Sequence, residues 1–395
     1  MRILFLSRWF PSPPDNGSKL RVYNLLRGIG RHHEVSLLSF IDHPDEGRET
    51  DELSQWCTDI RTVLRRTFDP YSRRAIAGFL SPLPRSVVDT FSPEMAEAIR
   101  EEVAAKKFDL VIASQEGTAV YARCFEGIPA LFEEVEVAVL YEKHVNADSI
   151  LTRSRDYLTW LKQRHHLSRM LGNFKACTVV SDRERDLLSS EIPSVPHVEI
   201  IPNCVSLSDY NALTGMPLAD RLIFTGSFRY EPNYEAMCWF LRQVFPRVRE
   251  RVPDAELIIT GDHADLPLPS MQGVTLTGHL EEVRSLVASS CASLAPIHTG
   301  GGTRLKILEA MALGTPVVAT SKGAEGLSVE SNQHLLIADS PEPFAEATVR
   351  LLREPTLRRR LARNALRLVG ERYDWPAVIP QVLELLERVG CSYQR

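Results

Sequence analysis

The sequence contains no uninterrupted apolar run of the length that a membrane-spanning helix requires. This absence argues against an integral membrane protein built from helices. The apolar run near the start of the chain has only four residues before Ser7 and Arg8, and a proline-rich loop follows it. We therefore predict a first buried strand there rather than a signal peptide. Internal repeats and low-complexity segments are absent as well.

The seven cysteines are odd in number, scattered, and without the paired spacing of metal ligands. A disulfide framework and a zinc site are therefore not expected, and a reducing cytoplasm is the predicted compartment. The formal net charge of −5 gives the protein no general attraction to nucleic acid. No Asp-x-Asp pair of the kind that holds a metal stands out. We accordingly expect no metal, no cofactor and no nucleic-acid partner.

Short apolar runs alternate with helical patterns along the 395 residues, which is typical of α/β proteins with parallel sheets. A chain of this length exceeds one compact core, so two domains are expected. In the first half, the predicted strands are Ile3–Ser7, Glu34–Phe40, Leu110–Ala113, Ala130–Phe132 and Cys177–Val180. In the second half, they are Leu222–Thr225, Leu257–Thr260, Val274–Thr277, Ala292–Ala295, Val317–Thr320 and Leu335–Ile337. The predicted helices are Lys19–Gly28, Ser92–Lys106, Leu151–Phe174, Tyr234–Arg251, Leu280–Ala288, Thr303–Leu313, Pro341–Leu352 and Thr356–Glu371.

The most informative segment begins with three glycines at residues 300–302 and continues into a predicted helix that Gly314 ends. Glycines before a helix let a ligand approach the backbone, and the free amides of the first helical turn attract anions. Arg304 and Lys306 add two cations suited to phosphate. Glu309 lies three residues after Lys306 and can accept hydrogen bonds from a diol such as a ribose. The segment therefore predicts a binding site for a nucleoside diphosphate.

The run from Gly300 to Glu309 resembles the donor-binding signature of retaining glycosyltransferases of group 4. It matches a branch with a GGGTRLKxxE motif that is associated with bacterial polysaccharide biosynthesis. The family usually has two glutamates seven residues apart, and the first of them falls on Gly301 here. Shorter matches occur in the family's order at Phe224–Phe228, Leu257–Gly261, Leu276–Leu280 and Glu325–Leu327. The resemblance implies the GT-B architecture, an α/β fold with two Rossmann-like domains whose parallel sheets face each other across a cleft.

The resemblance also implies a domain organisation and a set of site residues. An acceptor-side domain is expected over residues 1–205, a donor-binding domain over 206–371, and a terminal helix over 372–395 that crosses back to the first domain. A polar link from Asn203 to near Asp220 is the expected hinge. Arg304 and Lys306 are the predicted catalytic cations that stabilise the departing diphosphate. The predicted substrate contacts in the donor domain are Ser227, Arg229, Asn233, His298, Gly301, Gly302, Thr303, Leu305 and Glu309.

Two loops in the first half are further candidates. In the loop after the first strand, Gly17 matches a glycine that lies beside the transferred sugar in the family, and Asn16 adjoins it. The alternative is a plain proline-rich turn in which Ser18 caps the next helix. After the strand Ala130–Phe132 comes an acidic run at residues 133–136, where raised carboxyl pKa values would suit proton transfer. Glu136 is the best single candidate there, and the alternative is a set of solvated loop charges.

Basic residues of the first half form two groups. They are Arg61, Arg65, Arg66, Arg73 and Arg74, and then Arg153, Arg155, Lys162, Arg164 and Arg169. Such groups predict either peripheral contact with anionic lipid at the inner face of the membrane or ordinary solvated helix faces.

The predicted function is metal-independent transfer of a sugar, with retention of anomeric configuration, from a UDP- or GDP-sugar. The acceptor is expected to be a hydroxyl of a glycan or of a lipid-linked saccharide. Two alternatives remain open. One is a nucleotide-sugar epimerase of the same fold, and the other is a non-catalytic module that binds a nucleotide sugar without turnover.

Overall fold

The computed structural model describes residues 1–47, 51–145, 149–192, 194–210 and 218–391. The chain divides into two compact units. The first unit is Met1–Pro202 together with the chain from Val378 onward, and the second unit is Asn203–Ala377. Residues 211–217 of the predicted polar link lie outside the described residues. Among the described residues, no helix combines the length and the apolar character needed to cross a membrane.

A seven-stranded parallel sheet forms the centre of the first unit. Its strands are β1 (Arg2–Ser7), β2 (Glu34–Ile41), β3 (Asp59–Leu64), β4 (Leu110–Ser114), β5 (Ala130–Glu133), β6 (Ala176–Val179) and β7 (His197–Ile200). Their order in the sheet is β3-β2-β1-β4-β5-β6-β7, and every pair is parallel. The order therefore reverses between β1 and β4, as in Rossmann-like sheets. The central strands β1 and β4 are almost fully buried apolar runs, as strands covered on both faces must be.

The first unit also contains helices. They are α1 (Gly17–Ile29), α2 (Arg73–Ala77), α3 (Arg85–Thr90), α4 (Pro93–Ala105), α5 (Glu116–Ala119), α6 (Ala138–Val145), α7 (Ile150–Leu171) and α8 (Asp182–Glu191). Short 3₁₀ turns occur at Leu53–Gln55 and Ala122–Phe125.

The second unit contains a six-stranded parallel sheet. Its strands are β8 (Arg221–Thr225), β9 (Glu256–Thr260), β10 (Val274–Gly278), β11 (Ala292–Ala295), β12 (Val317–Ala319) and β13 (Leu336–Ile337), in the order β10-β9-β8-β11-β12-β13. Its helices are α9 (Glu231–Trp239), α10 (Phe245–Arg251), α11 (Arg284–Ala288), α12 (Leu305–Ala312), α13 (Pro341–Arg353) and α14 (Pro355–Arg372). A 3₁₀ turn forms Leu207–Asp209, and a π-helical turn, Phe240–Val244, joins α9 to α10.

The last helix, α15 (Trp375–Cys391), completes the core of the first unit. Gly28 on α1 lies so close to Ile379 that a Cβ there would be 2.2 Å from the isoleucine Cδ1. Gln381 and Arg388 of α15 donate to the carboxylate of Glu199 on β7.

The structure confirms all six strands predicted for the second half of the chain. The sequence patterns do not predict β3, because Asp59 and Arg61 interrupt its apolar residues at the edge of the sheet. The predicted helix Tyr234–Arg251 is interrupted by the π-helical turn. The helix predicted from Thr303 starts only at Leu305, so Thr303 and Arg304 belong to the preceding loop.

Candidate functional site

In the second unit, the loops after β8 and β11 begin where the strand order of the sheet reverses. The two strands are neighbours there, and the chain continues from β8 into α9 and from β11 into α12. Ligands of open parallel sheets bind in the crevice that this reversal leaves at the carboxyl ends of the strands. The predicted donor residues all lie in these two loops or in α9 and α12, so the fold brings them to one edge of the sheet.

The glycine loop before α12 depends on two residues in the left-handed region. Gly300 has φ +82° and Gly302 has φ +81°, values that side chains disfavour. A Cβ on Gly300 would also lie 2.3 Å from Tyr230 Oη. The loop therefore packs against Tyr230 in a way that requires glycine.

The guanidinium of Arg304 points back into this loop. It donates to the carbonyl groups of Thr299 at 3.2 Å, Gly300 at 2.7 Å and Gly301 at 2.6 Å, and to Tyr230 Oη at 3.1 Å. The side chain is buried, and its Nε has no hydrogen-bond partner among the described residues. In this geometry Arg304 holds the loop in shape, whereas the sequence predicts a direct partner of the departing diphosphate.

Lys306 is the cation that faces the loop after β8. Its Nζ donates to Asn233 Oδ1 at 2.9 Å and lies 4.0 Å from the centroid of the Phe224 ring. Burial, and secondly the charge of Arg304, lower the pKa of the Lys306 ammonium to about 7, while Glu309 acts in the opposite direction. A lysine ammonium has three N–H donors, so donors remain for a bound anion.

Asn233 joins the two loops. Its buried side-chain amide donates to the Ser227 carbonyl at 2.8 Å while its oxygen accepts from Lys306. A Cβ on Gly226 would lie 2.8 Å from the Asn233 amide and 2.9 Å from Lys306 Nζ, so the glycine leaves room for both groups. Ser227 and Asn233 therefore help to position Lys306.

Glu309 lies one turn of α12 beyond Lys306. Burial raises the pKa of its carboxyl group, and the charges of Arg284 and Lys306 oppose this shift. The Tyr210 hydroxyl donates to Glu309 Oε1 at 3.5 Å, and the Arg284 guanidinium lies 4.8 Å from the centroid of the Tyr210 ring. One long hydrogen bond leaves the carboxylate able to accept from a diol. No local sequence signal predicts Tyr210 or Arg284 as its neighbours.

His298 and Arg229 lie at the exposed side of the same loops. The His298 ring packs edge-on against Trp239, with 4.5 Å between the ring centroids. Arg229 forms an ion pair with Asp262. His298 and Arg229 therefore each have a partner within the protein, and their roles in substrate binding stay predictions.

A second set of polar side chains follows β4 and β5 in the first unit. The buried carboxylate of Glu133 accepts from Arg21 Nε at 2.6 Å and from Ser114 Oγ at 2.7 Å. The Arg21 guanidinium also donates to the carbonyl groups of Ile201 and Pro202. Removing one member of a buried ion pair leaves the other charge uncompensated, so Glu133 and Arg21 serve the fold.

Glu134 and Gln115 touch each other at this edge, and both have strained backbones. Their φ angles are +60° and +66°, a conformation that is costly for these residues and collects at functional sites. Gln115 Nε2 donates to Glu134 Oε2 at 2.7 Å, while Gln115 Oε1 accepts from Trp9 Nε1 at 3.0 Å. Burial, opposed by Arg21, raises the pKa of Glu134 to about 7. Glu136, the predicted candidate, has an exposed side chain, so the geometry favours Glu134 as the titrating carboxylate.

Asn16 is the N-cap of α1, because its Oδ1 accepts from the Lys19 amide at 3.1 Å. The alternative in which Ser18 caps this helix is wrong, since α1 begins at Gly17 and Ser18 lies inside it. The Ser18 hydroxyl instead accepts from Gln115 Nε2 at 3.3 Å. The side chain of Asn16 therefore has a structural role that requires no ligand. Contact of Gly17 with a sugar stays a prediction.

Ion pairs occupy part of the predicted lipid-facing basic groups. Arg61 pairs with Glu101, Arg65 with Asp42 and Arg66 with Asp89. Exposed apolar side chains lie within the first group or between the two groups in sequence, among them Tyr71, Phe79 and Leu80. Peripheral membrane contact stays a prediction. Because ion pairs already engage several of the arginines, the exposed apolar side chains are now its main support.

Residues 219–354, within the second unit, match the family model described as "Glycosyl transferases group 1". The chain is 22% identical to an uncharacterized 44.6 kDa protein in the cps region of Klebsiella pneumoniae, over 97% of this chain and 99% of that protein. It is 29% identical to a phosphatidyl-myo-inositol mannosyltransferase of Mycobacterium leprae, over 57% of this chain and 61% of that protein.

Solved structures share the complete fold. Sucrose-phosphate synthase from Thermosynechococcus elongatus superposes with a TM-score of 0.72 at 16% identity, covering 99% of this chain and all of that one. Anabaena HepE in complex with UDP and glucose superposes with a TM-score of 0.66 at 16% identity, covering 98% and 100% of the two chains. The fold is the two-domain GT-B fold. In sequence, the second unit is similar to glycosyltransferases of group 1.

Proposed function

We propose that this protein is a retaining glycosyltransferase that uses a nucleoside-diphosphate sugar in the biosynthesis of a polysaccharide or another glycoconjugate. The observation that carries the proposal is Lys306, a partly buried ammonium at the start of α12 beside the glycine loop, with Glu309 one turn further on. An ammonium near helix-terminal amides suits a diphosphate, and the carboxylate suits a ribose. HepE, crystallised with UDP and with UDP-glucose, supports a UDP-sugar donor, and the relative from a cps region supports a role in polysaccharide formation.

In the proposed reaction, the acceptor hydroxyl attacks the anomeric carbon on the face from which the diphosphate leaves. The new bond joins the acceptor oxygen to the anomeric carbon, and the old bond breaks with its electron pair on the diphosphate. Lys306 and the first amides of α12 stabilise the charge that develops there. Because these protein groups carry the charge, the proposed step needs no metal. Arg304 acts as a positioning residue, since its guanidinium contacts the carbonyl groups of the glycine loop.

In this proposal, the carboxylate of Glu134 accepts the proton that the acceptor hydroxyl loses. A carboxyl group whose pKa lies near 7 can accept a proton at neutral pH and release it afterwards. Gln115 holds the carboxylate in one orientation at the edge of the sheet.

Nucleoside diphosphates are expected to stabilise the protein against heat without magnesium, and Glu309→Ala is expected to remove this effect. A ligand at a hundred times its Kd should add about 2.7 kcal/mol to the free energy of unfolding. Thermal melting against UDP, GDP and their sugars, with and without magnesium, measures the shift. Glu250→Ala, which removes an exposed glutamate from α10, is the matched control and should keep the full shift. Absence of any shift in the native protein would contradict the proposed donor site.

Glu134→Gln is expected to lower kcat roughly 10²-fold, because an amide keeps the contact to Gln115 but cannot accept the proton. Glu136→Gln should change kcat less than about twofold, since its side chain is exposed at the rim. At saturating donor, whose diphosphate keeps Lys306 protonated, the rate of sugar transfer measured from pH 5.5 to 8 should rise through about pH 7 as Glu134 loses its proton. A larger loss in Glu136→Gln than in Glu134→Gln would restore Glu136 as the catalytic carboxylate.

A further inference from the structure

Arg8 is a partly buried cation at the carboxyl end of β1 that makes no hydrogen bond to its nearest carboxylate. It follows the last residue of this strand, where the strand order of the first sheet reverses. Its side chain is 17% exposed, and its nearest carboxylate oxygen, Asp42 Oδ1, is 4.0 Å from Nη1. That distance exceeds hydrogen-bonding range, so the guanidinium donors of Arg8 have no acceptor there.

The charged neighbours of Arg8 pair with one another instead. Asp42 Oδ1 lies 2.6 Å from Arg65 Nε, which is its closer partner. Lys19 Nζ lies 3.7 Å from Glu46 and 3.3 Å from Asp15. The three cations and three carboxylates of this group balance in charge, but Asp42 lies closer to Arg65 than to Arg8, so the Arg8 donors stay open to a ligand. Burial, and then repulsion by Arg65, lower the pKa of Arg8 to about 10, with Asp42 and Glu46 opposing the shift.

The Arg8 side chain is also fixed before any ligand binds. Its guanidinium carbon lies 4.1 Å from the centroid of the Trp9 ring, and a Cβ on Gly117 would lie 3.0 Å from its Cδ. Trp9 is held in turn by its hydrogen bond to Gln115, the residue that also contacts Glu134. A stacked arginine loses little conformational freedom when an anion binds, which favours affinity.

We propose that Arg8 binds a negatively charged group, a phosphate or a carboxylate, on the sugar acceptor. The proposal rests on the proposed transferase function and names the acceptor class, a phosphorylated or carboxylated saccharide. The fork of a guanidinium matches two oxygens of such a group. The link through Trp9 and Gln115 would place the anionic group in the same network as the proton acceptor Glu134.

The experiment measures binding of glucose 1-phosphate, glucose 6-phosphate, glucuronate and methyl glucoside by calorimetry and saturation-transfer NMR. A saturating nucleoside diphosphate keeps these probes out of the donor site. At least one anionic sugar should bind about tenfold or more tightly than methyl glucoside, and Arg8→Gln should abolish this preference. Comparing the affinities of the two sugar phosphates with that of glucuronate shows whether the site prefers a phosphate or a carboxylate group. Arg2→Gln, at the other end of β1, removes a 62% exposed arginine and should leave the preference intact.

A second variant keeps the test decisive if Arg8→Gln does not fold. Asp42→Asn removes the nearest carboxylate and should tighten binding of the anionic sugars without affecting methyl glucoside. Because this variant also frees Arg65, the gain should persist in the double variant Asp42→Asn with Arg65→Gln. Equal binding of charged and neutral sugars in the native protein, or a preference unchanged in Arg8→Gln, would overturn the inference. Nucleoside-diphosphate binding with no preference for sugar anions would sink the Arg8 inference alone. A preference for sugar anions with no nucleotide binding would instead sink the proposed function.

Discussion

Lys306→Met is expected to lower kcat about 10²- to 10³-fold while the protein stays folded. Loss of one preorganised donor to the charge of a transition state has an effect of this size. Methionine keeps an unbranched chain against Phe224 and removes a cation whose burial is unfavourable in the free protein. Steady-state transfer kinetics, with the melting temperature as the check on folding, measure the effect. A kcat within a factor of three of the native value would exclude Lys306 from the leaving-group step.

The same lysine predicts how nucleotide binding depends on pH. The Lys306 pKa lies near 7 in the free protein, so the ammonium loses its proton as the pH rises above 7. A diphosphate is fully ionised in that range and favours the protonated lysine, so binding must include uptake of a proton. The Kd should therefore rise by up to about tenfold per pH unit between pH 7.5 and 9. Lys306→Arg, which stays charged, should give a flat profile, and a flat profile in the native protein would contradict the assignment.

Arg304→Ala is expected to lower kcat/KM about 10²-fold, chiefly through a higher KM for the donor. Without the guanidinium, the carbonyl groups of Thr299, Gly300 and Gly301 lose their donor, and small displacements of a binding loop have effects of this size. If Arg304 instead met the diphosphate only in the transition state, kcat would fall and KM would stay unchanged. The split between kcat and KM therefore separates a positioning role from a direct one.

Two further variants complete the Arg304 experiment. Arg304→Lys should rescue little, because an ammonium cannot reproduce the fork that contacts several carbonyl groups. Arg363→Ala, an exposed arginine on α14, is the matched control and should behave like the native enzyme. Full rescue by lysine would show that only the positive charge matters at position 304.

Local patterns were enough to predict the strands of the second unit, although not the bounds of all its helices. Its six strands are short apolar runs, and the glycines, cations and glutamate between Gly300 and Glu309 are adjacent in sequence. The fold class also followed from the alternation of strands and helices. The edge strand β3 was missed because half of its residues face solvent and carry charge, so it has no continuous apolar run.

The contacts within the site could not be predicted in the same way. The sequence placed Arg304 beside Lys306, but whether each side chain faces the loop or the ligand depends on φ angles and on Tyr230, more than 70 residues away. Glu134 and Glu136 look alike in the sequence. They differ because a left-handed backbone at Glu134 turns its carboxylate toward Gln115. Tyr210 and Arg284 reach Glu309 only through the fold of the second unit.

The position of α15 affects how the chain can assemble during synthesis. Its apolar residues Val382, Leu385 and Leu386 line the same space as Phe5 and Leu25 of the first unit. The ribosome therefore finishes the whole second unit before it delivers the helix that closes the first. The apolar surface beneath α1 therefore stays uncovered until α15 has been synthesised. Damage to the final helix should consequently disturb the unit that carries Arg8 and Glu134 and spare the one that carries Lys306.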